Sequence, residues 1–188
     1  MNVELIYLSE NAALQCESAA RMCYDSASKT CEGSAKKLLG AVVNKGHLSV
    51  LEFGYATFKV EGVSRALLAQ ITRHRHLSFN VRSQRYVRED TPQYVVPPAL
   101  KGRALRDYCE HMEKTWEVYS SLLAAGVRPE DARFVLPNAC YTQFHVSGNL
   151  RAWKEWLPIR TDRAAQWEIR ELAVTIESLL KKEVPEVF

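Results

Sequence analysis

The chain has 188 residues, 47% hydrophobic and 25% charged, with 25 Lys and Arg against 22 Asp and Glu for a net charge of +3. That length supports one cored domain, 1–188, rather than two. No apolar run reaches bilayer length, the opening MNVELIYLSE lacks the basic start of an export signal, and five cysteines without a C-x-x-C pair match neither a disulfide framework nor a zinc site; the expected setting is a reducing cytoplasm, with no membrane partner.

In chain order, alternation predicts a strand over 3–8, and Leu14, Ala19, Met22 and Cys23 fall at helical spacing within 11–24. A second helix is expected over 34–44, with Gly46 beyond its end. Residues 54–60 alternate again, placing Tyr55, Thr57 and Lys59 on one face and Ala56, Phe58 and Val60 on the other. Helical period returns from Val63 to about His74, which sets Gln70, Arg73 and His74 on one face. Beyond it, 78–86 reads as a loop entering an extended segment, in which Ser83 and Arg85 would point the same way and suit one phosphate. A short strand, QYVV, follows between Pro92 and the Pro97-Pro98 pair. A long amphipathic helix is predicted over 99–125 with Gly126 as its stop, then a short helix over 129–135 and a strand over 140–146. Asn149 is a plausible N-cap for a helix to about Leu157. The last helix, 164–182, is expected to be entered through Thr161 or Asp162.

The stretch 73–86, RHRHLSFNVRSQRY, holds four arginines and two histidines with no carboxylate and no lysine. A solvated basic face or a nucleic-acid patch would mix in lysine. Arginine's planar fork instead suits bidentate grip on phosphate and stacking on flat rings, so a shaped pocket for an anionic ligand is the favoured reading. Eight glycines at least six positions apart leave no Gly-rich phosphate loop, so arginine, serine and helix N-termini must do that work. The histidines show no metal-ligand spacing, and no metal is expected. Cys140 and His145 could form a thiolate and base, but an unpaired cysteine among aromatics is more often inert core.

The residues Arg73, His74, Arg75, Ser78, Asn80, Ser83, Arg85 and Tyr86 fit R-H-R-x-x-S-x-N-x-x-S-x-R-Y, and by that signature the chain resembles the flavin-dependent thymidylate synthases. GHLSVLEF at 46–53, DARFVLP at 131–137 and NLRAWKEWLPIRTDRAAQWEI at 149–169 extend the resemblance over most of the chain. It implies an α+β fold, a central sheet flanked by helices, with active sites shared between subunits of a homotetramer. It also implies methyl transfer to carbon 5 of dUMP, with methylenetetrahydrofolate as carbon donor, NADPH as reductant and bound FAD as redox carrier, and no cysteine nucleophile.

Carried over by position, Arg160 is the arginine at the uracil ring, and it is the first catalytic candidate with Ser83 and His47. Gln70, Arg73, Ser83, Gln84, Arg85 and Arg133 match positions that hold dUMP. Ser49, Arg73, His74, Arg75, Asn149 and Arg151 match positions around FAD, His47 one near flavin and folate, and Glu52 one that holds its loop. Plainer roles stand beside these: Asn149 as an N-cap only, Glu52 as the partner of a surface arginine. Val81, Ala164 and Phe53 depart from residues common in the family, glutamate at the first and histidine at the other two. They keep open a hydroxymethyl-transferring enzyme on the same scaffold; the rival from another class is a non-catalytic basic nucleic-acid-binding module.

Overall fold

The computed structural model describes residues 1–188. Four antiparallel strands, β1 (Asn2–Leu8), β2 (Tyr55–Ser64), β3 (Ser78–Val81) and β4 (Tyr141–Asn149), form one sheet in the order β1-β2-β4-β3. The helices are α1 (Ala12–Met22), α2 (Ser34–Asn44), α3 (Arg65–Ile71), α4 (Gly102–Ala124), α5 (Pro129–Ala132), α6 (Leu150–Thr161) and α7 (Trp167–Glu183), and a 3₁₀ segment covers Leu48–Phe53. The fold is α+β.

Strand alternation explains the layering. Ala56, Phe58 and Val60 of β2 and Phe144 and Val146 of β4 are buried, while their neighbours Lys59, Gln143 and His145 lie on the opposite, open face. Inward residues of α3, α6 and α7, Leu67, Trp153 and Leu172 among them, join the same 28-residue core. Trp153 meets Phe58 edge-on with ring centroids 5.1 Å apart, and its indole N–H donates to the Ala56 carbonyl at 3.2 Å. The helices flank the sheet on the face that carries this core. Met112, Trp116 and Tyr119 of α4 are buried outside this core: Trp116 lies against Tyr94, and both Trp116 and Tyr119 bond to Glu89.

Several boundaries differ from the sequence reading, each for a local reason. The helix expected from Val63 starts at Arg65, because Val63 and Ser64 still pair with Thr142 and Tyr141 after a bulge at Gly62, whose φ is 68°. QYVV contributes one bridge, Tyr94 to Cys140, since the following prolines cannot extend a ladder. The long helix begins at Gly102 rather than 99, behind a turn in which Leu100 N–H donates to the Pro97 carbonyl. Helix α6 runs through Pro158 to Thr161, one turn further than expected, and thereby carries Arg160. The last helix is capped by Gln166, whose side-chain oxygen accepts from the amides of Glu168 and Ile169, while Asp162 closes a separate turn onto Ala164 N–H.

Gly148 fixes how closely the signature segment approaches the sheet. A Cβ there would collide with the Leu77 side chain and lie 3.5 Å from the Trp153 indole nitrogen. Gly148→Ala is expected to destabilise the fold by about 1–3 kcal/mol, read as a lower denaturation midpoint at unchanged slope.

Candidate active site

The basic signature divides into two electrostatic halves. Arg82 directs Nη1 at both carboxylate oxygens of Glu89, at 3.0 and 2.9 Å. Glu89 is buried; its amide donates to the Tyr119 hydroxyl at 3.3 Å, and its carbonyl accepts from the Trp116 indole at 3.0 Å. These bonds tie the segment to α4. Gln84 is also buried and turned toward Glu89, at 3.5 Å, so its side chain faces inward instead of toward a ligand. Between them the backbone turns: Val87 N–H donates to the Ser83 carbonyl and Arg85 N–H to the Ser83 hydroxyl. The extended Ser83–Arg85 pair expected from alternation is thus a turn. Arg85 projects from it into solvent and contacts Glu130 of α5 at 2.6 Å, and the Glu130 carbonyl accepts from Arg133 Nε at 3.1 Å. Arg85 and Arg133 therefore meet at Glu130, with Ser83 in the adjoining turn, and the Arg85–Glu130 ion pair is an exposed one that solvent screens and that an anionic ligand can replace.

The other half is unneutralised. Arg73, Arg75 and Arg160 take part in none of the chain's ion pairs. Arg73 and Arg75 follow α3 and are exposed, Gln70 is half-buried on α3, and Arg160 is half-buried in the last turn of α6. Between them His74 buries Nε2 without a hydrogen-bond partner. Burial holds its imidazole below the ordinary value, and the charges of His76 and Arg160 press the same way. An imidazole held toward its neutral form with an unmet ring nitrogen, near Arg160 and between two sequence neighbours that make no ion pair, is set up to meet a polar anion.

Adjacent to His76 lies a concavity of about 250 Å³ lined by Glu52, His76, Asn149, Arg151, Ala152 and Glu155. Asn149 caps α6, its Oδ1 accepting from Ala152 N–H at 2.8 Å, and Arg151 reaches Glu52 at 2.7 Å and Glu155 at 2.9 Å. Glu52 is thus the partner of Arg151 and clips the 3₁₀ segment to α6. His47 and Ser49, at the other side of that segment, are exposed and line a separate groove of about 510 Å³ with Arg21, Tyr24 and Val50. Ser49 also borders a more apolar groove of about 640 Å³ with Met22, Cys23 and Phe53. One chain therefore sets Arg160 close enough to act on His74, which Arg73 and Arg75 flank in sequence, and joins Arg85 and Arg133 at Glu130 beside the Ser83 turn, but it leaves His47 and Ser49 in their own groove.

The sequence reading missed Glu89, Glu130, His76 and Glu155. Glu89 is visible as the first acid after the arginine run, His76 lies inside that run, and Glu155 stands four residues after Arg151 on one helix face; nothing in sequence spacing marks Glu130. Of the departures, Val81 packs toward the core from β3, Phe53 is exposed at the apolar groove, and Ala164 is exposed in the α6–α7 turn. The thiols offer no nucleophile: burial pushes Cys140 up to about 12 and Cys16 to about 11. Cys140 is buried whereas His145 is exposed on the open sheet face, so the two do not form a thiolate and base.

Comparison with known proteins agrees with this geometry. Residues 4–186 match the family model Thy1, described as thymidylate synthase complementing protein. A flavin-dependent thymidylate synthase of Geobacter sulfurreducens is 39% identical, over 90% of this chain and 78% of its own length, and one of Mycobacterium sp. (strain KMS) is 36% identical, over 96% and 80%. Among solved structures, the UMP/dUMP methylase PolB of Streptomyces cacaoi, bound with 5-Br dUMP, superposes with a TM-score of 0.88 at 28% identity, covering 99% of this chain and 92% of PolB.

Two outcomes follow from the charge arrangement. Glu89→Ala strips Arg82 and Gln84 of their shared carboxylate and is expected to cost about 1–3 kcal/mol, measured by denaturant unfolding. His74 is expected to titrate below the ordinary histidine value of about 6.5 in NMR. Because its folded value is depressed, its contribution is intact above the unfolded value and is lost as pH falls through and below it. Wild-type stability should then drop more steeply between pH 7 and pH 5 than that of His74→Asn.

Proposed function

Because the chain belongs to the Thy1 family of flavin-dependent thymidylate synthases, it is an FAD-dependent methyltransferase that makes dTMP from dUMP, and we propose how its residues divide that work. Hydroxymethyl transfer is not favoured, since the relatives are synthases of thymidylate and a methylase. A non-catalytic basic module does not fit this family.

The observation that carries the assignment is Arg73, His74 and Arg75 directly beyond α3, the two guanidinia outside every ion pair and His74 Nε2 buried without a partner. Such a constellation fits the diphosphate and flavin ring of FAD, with Asn149 and Arg151 in the adjoining concavity and Ser49 supplied from its separate groove by a neighbouring subunit. Reduced FAD, when bound, supplies the reducing equivalents that turn the transferred one-carbon unit into a methyl group. The one-carbon unit comes from methylenetetrahydrofolate and the electrons from NADPH, and His47, from its own groove, serves flavin and folate across a subunit boundary.

The protein's own contribution is binding and polarisation. Ser83, Arg85 and Arg133 take the dUMP phosphate, Arg85 exchanging Glu130 for the stronger dianion. Gln70 and Arg73 orient the nucleoside. Arg160 donates to the uracil ring, favours its ionised form and so raises electron density at carbon 5. Gln84 supports this site from beneath through Glu89 rather than touching nucleotide. Sharing of each site between subunits of a homotetramer is supported by Tyr86 and Phe134, 76% and 83% exposed beside Arg85 and Arg133 in sequence.

The test is the mass of the nucleotide formed from dUMP, FAD, NADPH and methylenetetrahydrofolate. dTMP is expected; unchanged dUMP with flavin bound would overturn the donor and substrate assignment. Arg160→Ala should lose on the order of 10²–10³ in kcat while the flavin absorbance persists, and Arg85→Ala should act mainly on KM for dUMP. Wild-type turnover in Arg160→Ala would remove its assigned role.

A further inference from the structure

Glu168, in the first turn of α7, is 3% exposed and sends its carboxylate away from α7. One oxygen accepts from Ser64 N–H at 2.7 Å and the other from the Ser64 hydroxyl at 2.5 Å. Ser64 is the N-cap of α3, and its Oγ accepts in turn from Leu67 N–H at 3.0 Å. A buried carboxylate is thus spent on holding the N-terminus of a seven-residue helix. That helix carries Gln70 and delivers Arg73 and His74 directly beyond its end, where His74 N–H donates back to the Ile71 carbonyl.

The other end of the linkage leads to Arg160. The turn between α6 and α7 is fixed onto α7 from both sides: Gln166 caps the helix through Glu168 and Ile169 amides, and Arg170 donates to the Arg163 carbonyl at 2.9 Å. Wherever the first turn of α7 goes, the last turn of α6 and Arg160 follow. We propose that Glu168 is a positioning residue for methyl transfer, locking the start of α7 to the start of α3 and thereby setting Arg160 against Arg73 and His74. The inference rests on the functional reading above, in which Arg160 and the α3 end meet the same ligands. A neutral or shortened partner at either position leaves both helices able to form but frees their relative placement. A shift of about 1 Å between reacting groups costs up to on the order of 10²-fold in rate.

The test uses Glu168→Gln, a near-isostere that cannot accept both Ser64 bonds, and Ser64→Ala, with Ser64→Thr restoring the hydroxyl. Readouts are kcat and KM for dUMP in the FAD-loaded enzyme, and the His74 titration by NMR in the protein without flavin. The imidazole of His74 faces His76, Arg160 and Glu155, so withdrawal of Arg160 moves its titration back toward the ordinary value even where no turnover is measured. We expect Glu168→Gln and Ser64→Ala each to lower kcat about 10- to 100-fold, to raise the His74 titration point, and Ser64→Thr to recover both. If either folded variant keeps wild-type kcat and an unmoved His74 titration while only its melting temperature falls, Glu168 is structural and the proposal is overturned. Should Glu168→Gln not fold, Ser64→Ala decides alone. An unmoved product mass for the wild type, with no dTMP, would instead refute the functional reading and leave the His74 readout to judge the linkage.

Discussion

The pairing of β4 along both of its edges is the constraint on which the rest of this structure depends. Its register with β2 sets Asn149 opposite Tyr55 and Tyr141 opposite Ser64, so one end of β4 launches α6 while the other abuts the start of α3. Its register with β3 sets Asn80 opposite His145 and brings the arginine signature across the sheet. Gly148 leaves room for Leu77 to seat at that junction. The start of α6 and the arginine signature both hang from this strand, and a slip of one residue would turn Phe144 and Val146 out of the core along with them.

Charge is then rationed by burial. The arginines that shape the backbone, Arg82 above all, are met by a carboxylate inside the protein, where an unpaired cation would be costly. The arginines left without partners sit at half-buried or exposed positions, where water tolerates them until a ligand arrives. The same logic holds His74 neutral and the buried thiols protonated. A fold with a formal charge of only +3 thus presents a concentrated positive field where three helix and strand ends converge.

Much of this was legible in the sequence because it depends on short periods. Alternation identified both faces of β2, and the spacing of the signature found Arg73, His74, Arg75, Ser83 and Arg85 as one unit. What failed depends on residues far away. The segment that follows the Ser83 turn is anchored through Glu89 to Tyr119 and Trp116 on a helix 27 or more residues on, and Arg85 owes its direction to Glu130, 45 positions away. Gln84 looked like one more polar member of the motif, yet its burial follows from that same turn. The plainer readings of Asn149 and Glu52 are realised, as helix cap and as ion-pair partner, and both also border the concavity beside His76.

The sheet also has two free edges, and both are guarded. β3 offers only four residues, while β1 changes register between Leu5 and Tyr7 and carries Glu4 on its exposed side. Short or bulged, charged edges are poor templates for an incoming strand. This protein therefore resists growing by backbone addition, and neighbouring molecules must recognise it through the chemistry of its side chains, which leaves its arginine-rich surfaces free to select ligands instead of recruiting strands.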